Sequence, residues 1–165
     1  MGDSKPLQGA RPPGADCGLV RRVDAEVTKW MRLNQRPRKR RRREEEEVFE
    51  KLLPDQLVLL LEHLLEEKTL SRPTLQTLQR TYCLHEQDAE VRHRWCELIV
   101  KHKYRSAYRH VEQFLQEDQA MGVYLYGELM VSEDARQQQL ARRCFELVKE
   151  QMDRSSVEVV AEMLF

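Results

Sequence analysis

A chain of 165 residues, 41% of them apolar, carries enough hydrophobic side chain for one buried core with a tail beside it. Its 28 basic residues balance 28 acidic ones, so the chain as a whole sets up no field that would gather nucleic acid or an anionic surface, and only local charge can matter. Four widely spaced cysteines, Cys17, Cys83, Cys96 and Cys144, exclude the dense disulfide framework of small secreted domains and read as free thiols in a reducing compartment.

Met1 to Gly18 holds four of the six glycines and three of the six prolines. With no apolar period to offset them, this composition predicts a disordered tail, which extends to residue 22. It has neither an apolar h-region nor a cleavage signature, so nothing in it directs secretion. Val23, Val27, Trp30 and Met31 then make one helical face, predicting a short amphipathic helix over 23–35 that ends before Pro37. Residues 36–47, RPRKRRRREEEE, read as a solvated charged linker in which acids four residues on offset the bases. A basic run of this length also suits nuclear import through Arg36 to Arg43, whereas no interleaved aromatic residue supports nucleic-acid binding.

From Val48 the helical period runs almost without a break. Pro54 opens a helix whose face is Leu57, Leu60, Leu61, Leu64 and Leu65, a run too short and too interrupted by polar residues to span a bilayer. Ser71 caps the next helix, with Leu75, Leu78 and Tyr82 inward, and Asp88 caps one carrying Val91, Trp95, Leu98, Ile99 and His102. Lys103 to Arg105 leave room only for a tight turn before Tyr108, Val111, Phe114 and Leu115, so these two helices should pack antiparallel. Val123 to Leu129 is rich in aromatic and β-branched residues and would suit a strand, but a lone strand has no partner and helix is preferred. Ser132 is expected to cap a long helix with Leu140, Cys144, Leu147, Val148 and Met152 inward, and Ser156 a last one with Val160, Ala161 and Leu164. The sum is an all-α domain of about seven helices over 48–165, in stacked antiparallel pairs that form an α/α superhelix of the HEAT or armadillo kind, without a fixed-period repeat.

Sites for chemistry are scarce. His85-Glu86-Gln87-Asp88-Ala89 matches a zinc-protease helix motif for four residues and fails at Ala89, which cannot ligate a metal. Cys83, His85, His93 and Cys96 are all ligand types, but their spacing fits no common structural zinc pattern, and ordinary packing is the simpler reading. No nucleophile elbow or glycine-rich phosphate loop is present. Trp95 and Tyr108 read as core residues. From the residues alone, the domain is a helical scaffold or interaction module.

The stretches VFEKLLPDQLVLLLEHLLEEKTL, LQRTYCLHEQDAEVRHRWCELIVKHKY and FLQEDQAMGVYLYGELM resemble the C-terminal helical domain of the aminopeptidase B and leukotriene A4 hydrolase branch of the M1 zinc aminopeptidases, nearest its arginyl aminopeptidase-like members. The most specific part is Glu90, Arg92, Arg94 and Trp95, followed by the turn at Lys103 and Tyr104. The resemblance covers 48–165, and Val23 to Met31 resembles the helix that enters that domain. It implies a hydrolase parent whose zinc and HExxH motif sit in a separate catalytic domain, the intramolecular partner of this one, which would help shape a peptide cleft. This chain lacks HExxH and is expected to hold no cofactor, to be non-catalytic alone, and to be a fragment or alternative product in a cytoplasmic setting. Relatives bind a substrate carboxylate through an Arg-x-Lys pair at the turn matching Ala120, Met121 and Gly122, where both cations are missing. The alternative is a freestanding protein-interaction module with a basic nuclear signal.

Overall fold

The computed structural model describes residues 13–35 and 49–165. These residues are helical throughout, with eight α-helices, two short 3₁₀ turns and no strand among them. The first helix, α1, runs Pro13–Gln35, so it begins ten residues before the expected start at Val23 and takes in much of the expected tail. Proline at the first helical position costs no hydrogen bond, since that N–H has no partner within the helix, and its fixed φ suits the turn. The charged linker falls outside the described residues, as does the tail before Pro13.

Seven helices follow, as the periodicity predicts: α2 (Pro54–Leu65), α3 (Arg72–Tyr82), α4 (Ala89–Lys101), α5 (Tyr108–Glu117), α6 (Val123–Met130), α7 (Ala135–Val148) and α8 (Arg154–Leu164). Capping residues set their starts. Ser71 accepts from the Thr74 N–H at 3.2 Å and Asp88 from the Val91 N–H at 3.1 Å, both as expected. The expected caps Ser132 and Ser156 are corrected to Asp134 and Asp153. Asp134 accepts from the Arg136 N–H at 3.0 Å, Asp153 accepts from the Ser156 N–H at 3.1 Å, and Ser132 instead accepts from the Asp134 N–H. A carboxylate outcompetes a nearby hydroxyl at a helix start because it adds charge to the hydrogen bond. Leu147, expected inward, is 61% exposed, and Phe145 takes the core position.

From α2 onward the even-numbered helices form one layer, α2 on α4, α4 on α6 and α6 on α8, with α5 on α7 in the other, while α1 lies chiefly on α2. α1 and α3 run antiparallel, since Glu26 meets Tyr82 at the end of α3 and Asn34 meets Ser71 at its start. α2 and α4 run parallel. Arg94 meets Glu62 at 2.9 Å, and Lys101 at the end of α4 donates to the carbonyls of Leu65 and Glu67 at the end of α2, a cation placed where the helix dipole is negative. Across layers, α4 and α5 are antiparallel, as expected: Arg92 near the start of α4 reaches Glu117 and Asp118 at the end of α5. The turn between them closes on Lys103 in the left-handed region, φ 52°. Its N–H donates to Val100 and that of Tyr104 to Ile99, a pairing that normally selects glycine.

One core holds both layers, with Leu60, Leu64, Trp95, Leu98, Phe114 and Tyr126 all 1% exposed or less. α1 belongs to it. Trp30 is fully buried, stacks on Phe49 at 4.0 Å and donates its indole N–H to the Tyr82 hydroxyl at 2.9 Å. Glu26, 1% exposed, accepts from Lys29 at 2.8 Å, from the Glu50 N–H at 3.3 Å and from Tyr82 at 3.4 Å. A buried carboxylate is tolerated only with such a set of donors.

Candidate functional site

The surface that merits attention is the turn between α5 and α6 together with the open face of α6. α5 ends at Glu117, the Asp118 N–H donates to Phe114, and the Gly122 N–H donates back to the Asp118 carbonyl at 3.0 Å. Arg92 fixes this turn from α4, donating to Asp118 at 3.1 Å and Glu117 at 2.9 Å with its guanidinium 5.4 Å from the Phe114 ring. Ala120 and Met121 are exposed at its tip and Gly122 is buried. A Cβ on Gly122 would lie 2.8 Å from Leu115 Cδ2. Leu115 is itself fully buried, so no side chain fits at position 122 until Leu115 moves.

Beyond the turn, Met121, Tyr124, Glu128 and Val131 fall at helical spacing on one side of α6. All four are exposed, Tyr124 by 72% and Val131 by 83%. Val123, Leu125, Tyr126 and Leu129 occupy the opposite side and are buried. The end of this face opens into a cavity of about 320 Å³ whose lining includes Val100, Lys101, Lys103, Glu128 and Glu133. Packing around the Glu128 carboxyl, reinforced by the neighbouring Glu97 carboxylate, pushes its pKa up to about 7.

The residues weighed as metal ligands do not converge. His85 and Glu86 lie in a 3₁₀ turn, Asp88 is an N-cap and Ala89 opens α4, so the motif spans a helix break where zinc chemistry needs one continuous helix face. Cys83 is exposed, its Sγ 3.9 Å from the Arg80 carbonyl, while Cys96 is buried and donates to the His110 carbonyl. Burial pushes the Cys96 thiol up, leaving it an inert core residue. His85 stacks on His110 at 5.1 Å, and His93 faces Glu97 at 3.7 Å. Among the described residues no three acidic, histidine or cysteine side chains are grouped to hold a metal.

Trp95 and Tyr108 are structural, as expected, and both make polar contacts that the sequence did not signal. Trp95, 1% exposed, donates its indole N–H to His110 Nδ1 at 3.2 Å. His110 is held neutral by burial, then by Arg109, His85 and Arg92, its pKa lowered to about 4. The Tyr108 hydroxyl donates to Asp134 at 2.6 Å and accepts from Gln137 at 2.8 Å. With Arg105 also on Asp134 at 3.2 Å, this carboxylate joins the α4–α5 turn to the start of α7. The tyrosine hydrogen bond leads the interactions that hold its pKa down at about 2. No helix is long and apolar enough to cross a membrane among the described residues.

The described residues form an all-helical domain that leaves large apolar side chains exposed along α6. The family model described as "Leukotriene A4 hydrolase, C-terminal" matches residues 52–164, and the chain belongs to that family. Among its relatives are aminopeptidase O of Homo sapiens, 80% identical over 164 residues, and aminopeptidase O of Mus musculus, 68% identical over 167 residues. The resemblance of the sequence to the C-terminal helical domain of the aminopeptidase B and leukotriene A4 hydrolase branch is thereby borne out. Each alignment covers 99% of this chain and 20% of the relative, so the chain spans about a fifth of the relatives' length. No solved structure matches the chain.

Proposed function

We propose that this chain acts as the helical C-terminal domain of a zinc aminopeptidase and contributes one wall of its peptide cleft, without catalysing the reaction itself. The observation that carries this reading is its 80% identity over 164 residues to a protein named aminopeptidase O. The exposed stripe Met121, Tyr124 and Val131 supports it, since apolar side chains left on one helix face suit contact with another protein surface. The succession of α2, α4, α6 and α8 in one layer supports a superhelix, which would present that face as a continuous surface. In this reading the partner is the parent's catalytic domain, which would supply zinc and activated water. The turn Ala120–Gly122 would border the cleft without the cations that relatives use for a carboxylate. The reading also includes a cytoplasmic setting.

The test is a chimera in which residues 13–165 replace the matching segment of human aminopeptidase O. Aminopeptidase activity should survive the exchange, and Tyr124→Arg together with Val131→Arg should lower kcat/KM while the isolated chain still melts as the parent does. An isolated chain that bound one zinc and released N-terminal residues from peptides would overturn the proposal. So would a folded chimera with no activity.

A further inference from the structure

α5 and α7 lie side by side and parallel, because Tyr108 at the start of α5 meets Asp134 at the start of α7. Further along, Glu112 pairs with Arg143. The cleft between them has a volume of about 340 Å³, and Arg109, Glu112, Arg136, Gln139, Leu140 and Arg143 line it. That is three guanidinium groups against one carboxylate, in a chain whose total charge is zero. Glu112 is already taken by Arg143, and Arg109 donates to the Ser106 carbonyl at 2.9 Å. No hydrogen bond or ion pair holds the Arg136 side chain among the described residues.

One of these arginines is unfavourably placed for the fold. Arg109 is the second residue of α5, where the dipole repels a cation, and α5 has neither a side-chain cap nor an acid in its first turn, whereas the Asp134 carboxylate caps the start of α7 beside Arg136. An anion in the cleft would offset the repulsion at Arg109. A guanidinium presents a planar fork of donors, and a carboxylate satisfies one such fork. A phosphate group, with three acceptor oxygens and close to two negative charges, matches three arginines whose excess charge over Glu112 is two.

We propose that the α5–α7 cleft is a phosphate-binding site, for inorganic phosphate or the phosphate of a small ester, with Arg109, Arg136 and Arg143 as its donors. This site is separate from the α6 face and independent of the aminopeptidase reading. The test follows the arginine side-chain N–H signals of the full chain by NMR during titration with sodium phosphate and, separately, with glycerol phosphate, using sodium acetate at matched ionic strength as control. Signals of Arg109, Arg136 and Arg143 should shift saturably with both phosphates and not with acetate. Affinity should fall at least tenfold in Arg109→Gln/Arg136→Gln and weaken with added salt, while Arg154→Gln changes neither. A preference for glycerol phosphate would identify the small ester as the ligand, and equal affinity would identify the phosphate group alone. The proposal is overturned if tens of millimolar phosphate shift nothing, if surface arginines such as Arg72 and Arg154 shift equally, or if the double variant binds as well as the parent while its circular dichroism is unchanged.

Discussion

α4 and α6 are successive members of one layer, and they use their side chains in opposite ways. α4 buries Val91, Trp95, Cys96, Leu98, Ile99 and Val100 and turns its charged residues into ties: Arg92 to the α5 end, Arg94 to Glu62, and Lys101 to the α2 carbonyls. α6 is the more apolar helix, yet it leaves Tyr124 and Val131 in solvent and carries one acid, Glu128, whose proton is held abnormally well. A helix whose cations are committed to neighbouring elements serves the fold. One that keeps large apolar groups outside serves something beyond it.

The contrast can be broken by truncation. Trp95→Ala should cost about 3–5 kcal/mol, since it opens a cavity under α5 and leaves His110 Nδ1 without its donor. Urea unfolding measures this, and a loss similar to that of a surface change would show that α4 is not the keystone. Asp134→Ala should cost roughly 2 kcal/mol, because one substitution removes a helix cap and the acceptor of Tyr108. Its pH dependence has a definite sign. The folded pKa of about 2 lies below the ordinary carboxylate value, so the stabilisation is complete above about pH 4 and is lost as pH falls toward 2. The parent should therefore show a larger acid-induced drop in Tm than the variant, which keeps only the part due to other carboxylates such as Asp153.

Gly122→Ala should destabilise by about 1 kcal/mol, through the displacement it forces on Leu115. Thermal melting would report it, and a neutral result would mean the turn is looser than its contacts imply. Glu128→Gln tests the open face directly. Its folded pKa of about 7 is raised, so stability is fully present below the ordinary carboxylate pKa and declines as pH rises through 7. The glutamine variant should not show that decline. Smallest of all, Tyr124→Ala should change stability by no more than about 0.5 kcal/mol, and a larger loss would place Tyr124 in the fold rather than in an interface.

Much of this architecture is legible in the chain. Seven helices from Pro54 onward, the Ser71 and Asp88 caps and the antiparallel α4–α5 pair all follow from period and local chemistry. What escapes is competition between neighbouring signals. Ser132 and Asp134 are both good caps, and only the tertiary pull of Tyr108 and Arg105 on the carboxylate selects the second. Leu147 and Phe145 are both apolar, and the packing of α6 against α7 decides which turns inward. The α6 face is harder still: Tyr124 and Tyr126 are indistinguishable by residue type, and no sequence rule says that one would be open and the other buried. The α5–α7 cleft eludes sequence reading because its arginines come from two helices that only the stacking brings together.

The family likeness begins at residue 52, but Trp30 and Glu26 sit inside the same core, bonded to Tyr82. An exon boundary or an expression start placed at residue 52 would remove Phe49 and strip a whole helix from α2 and α3, uncovering Tyr82. A piece cut that way would be prone to clump rather than stay in solution, so the inheritable unit here is longer at its front than the family outline suggests.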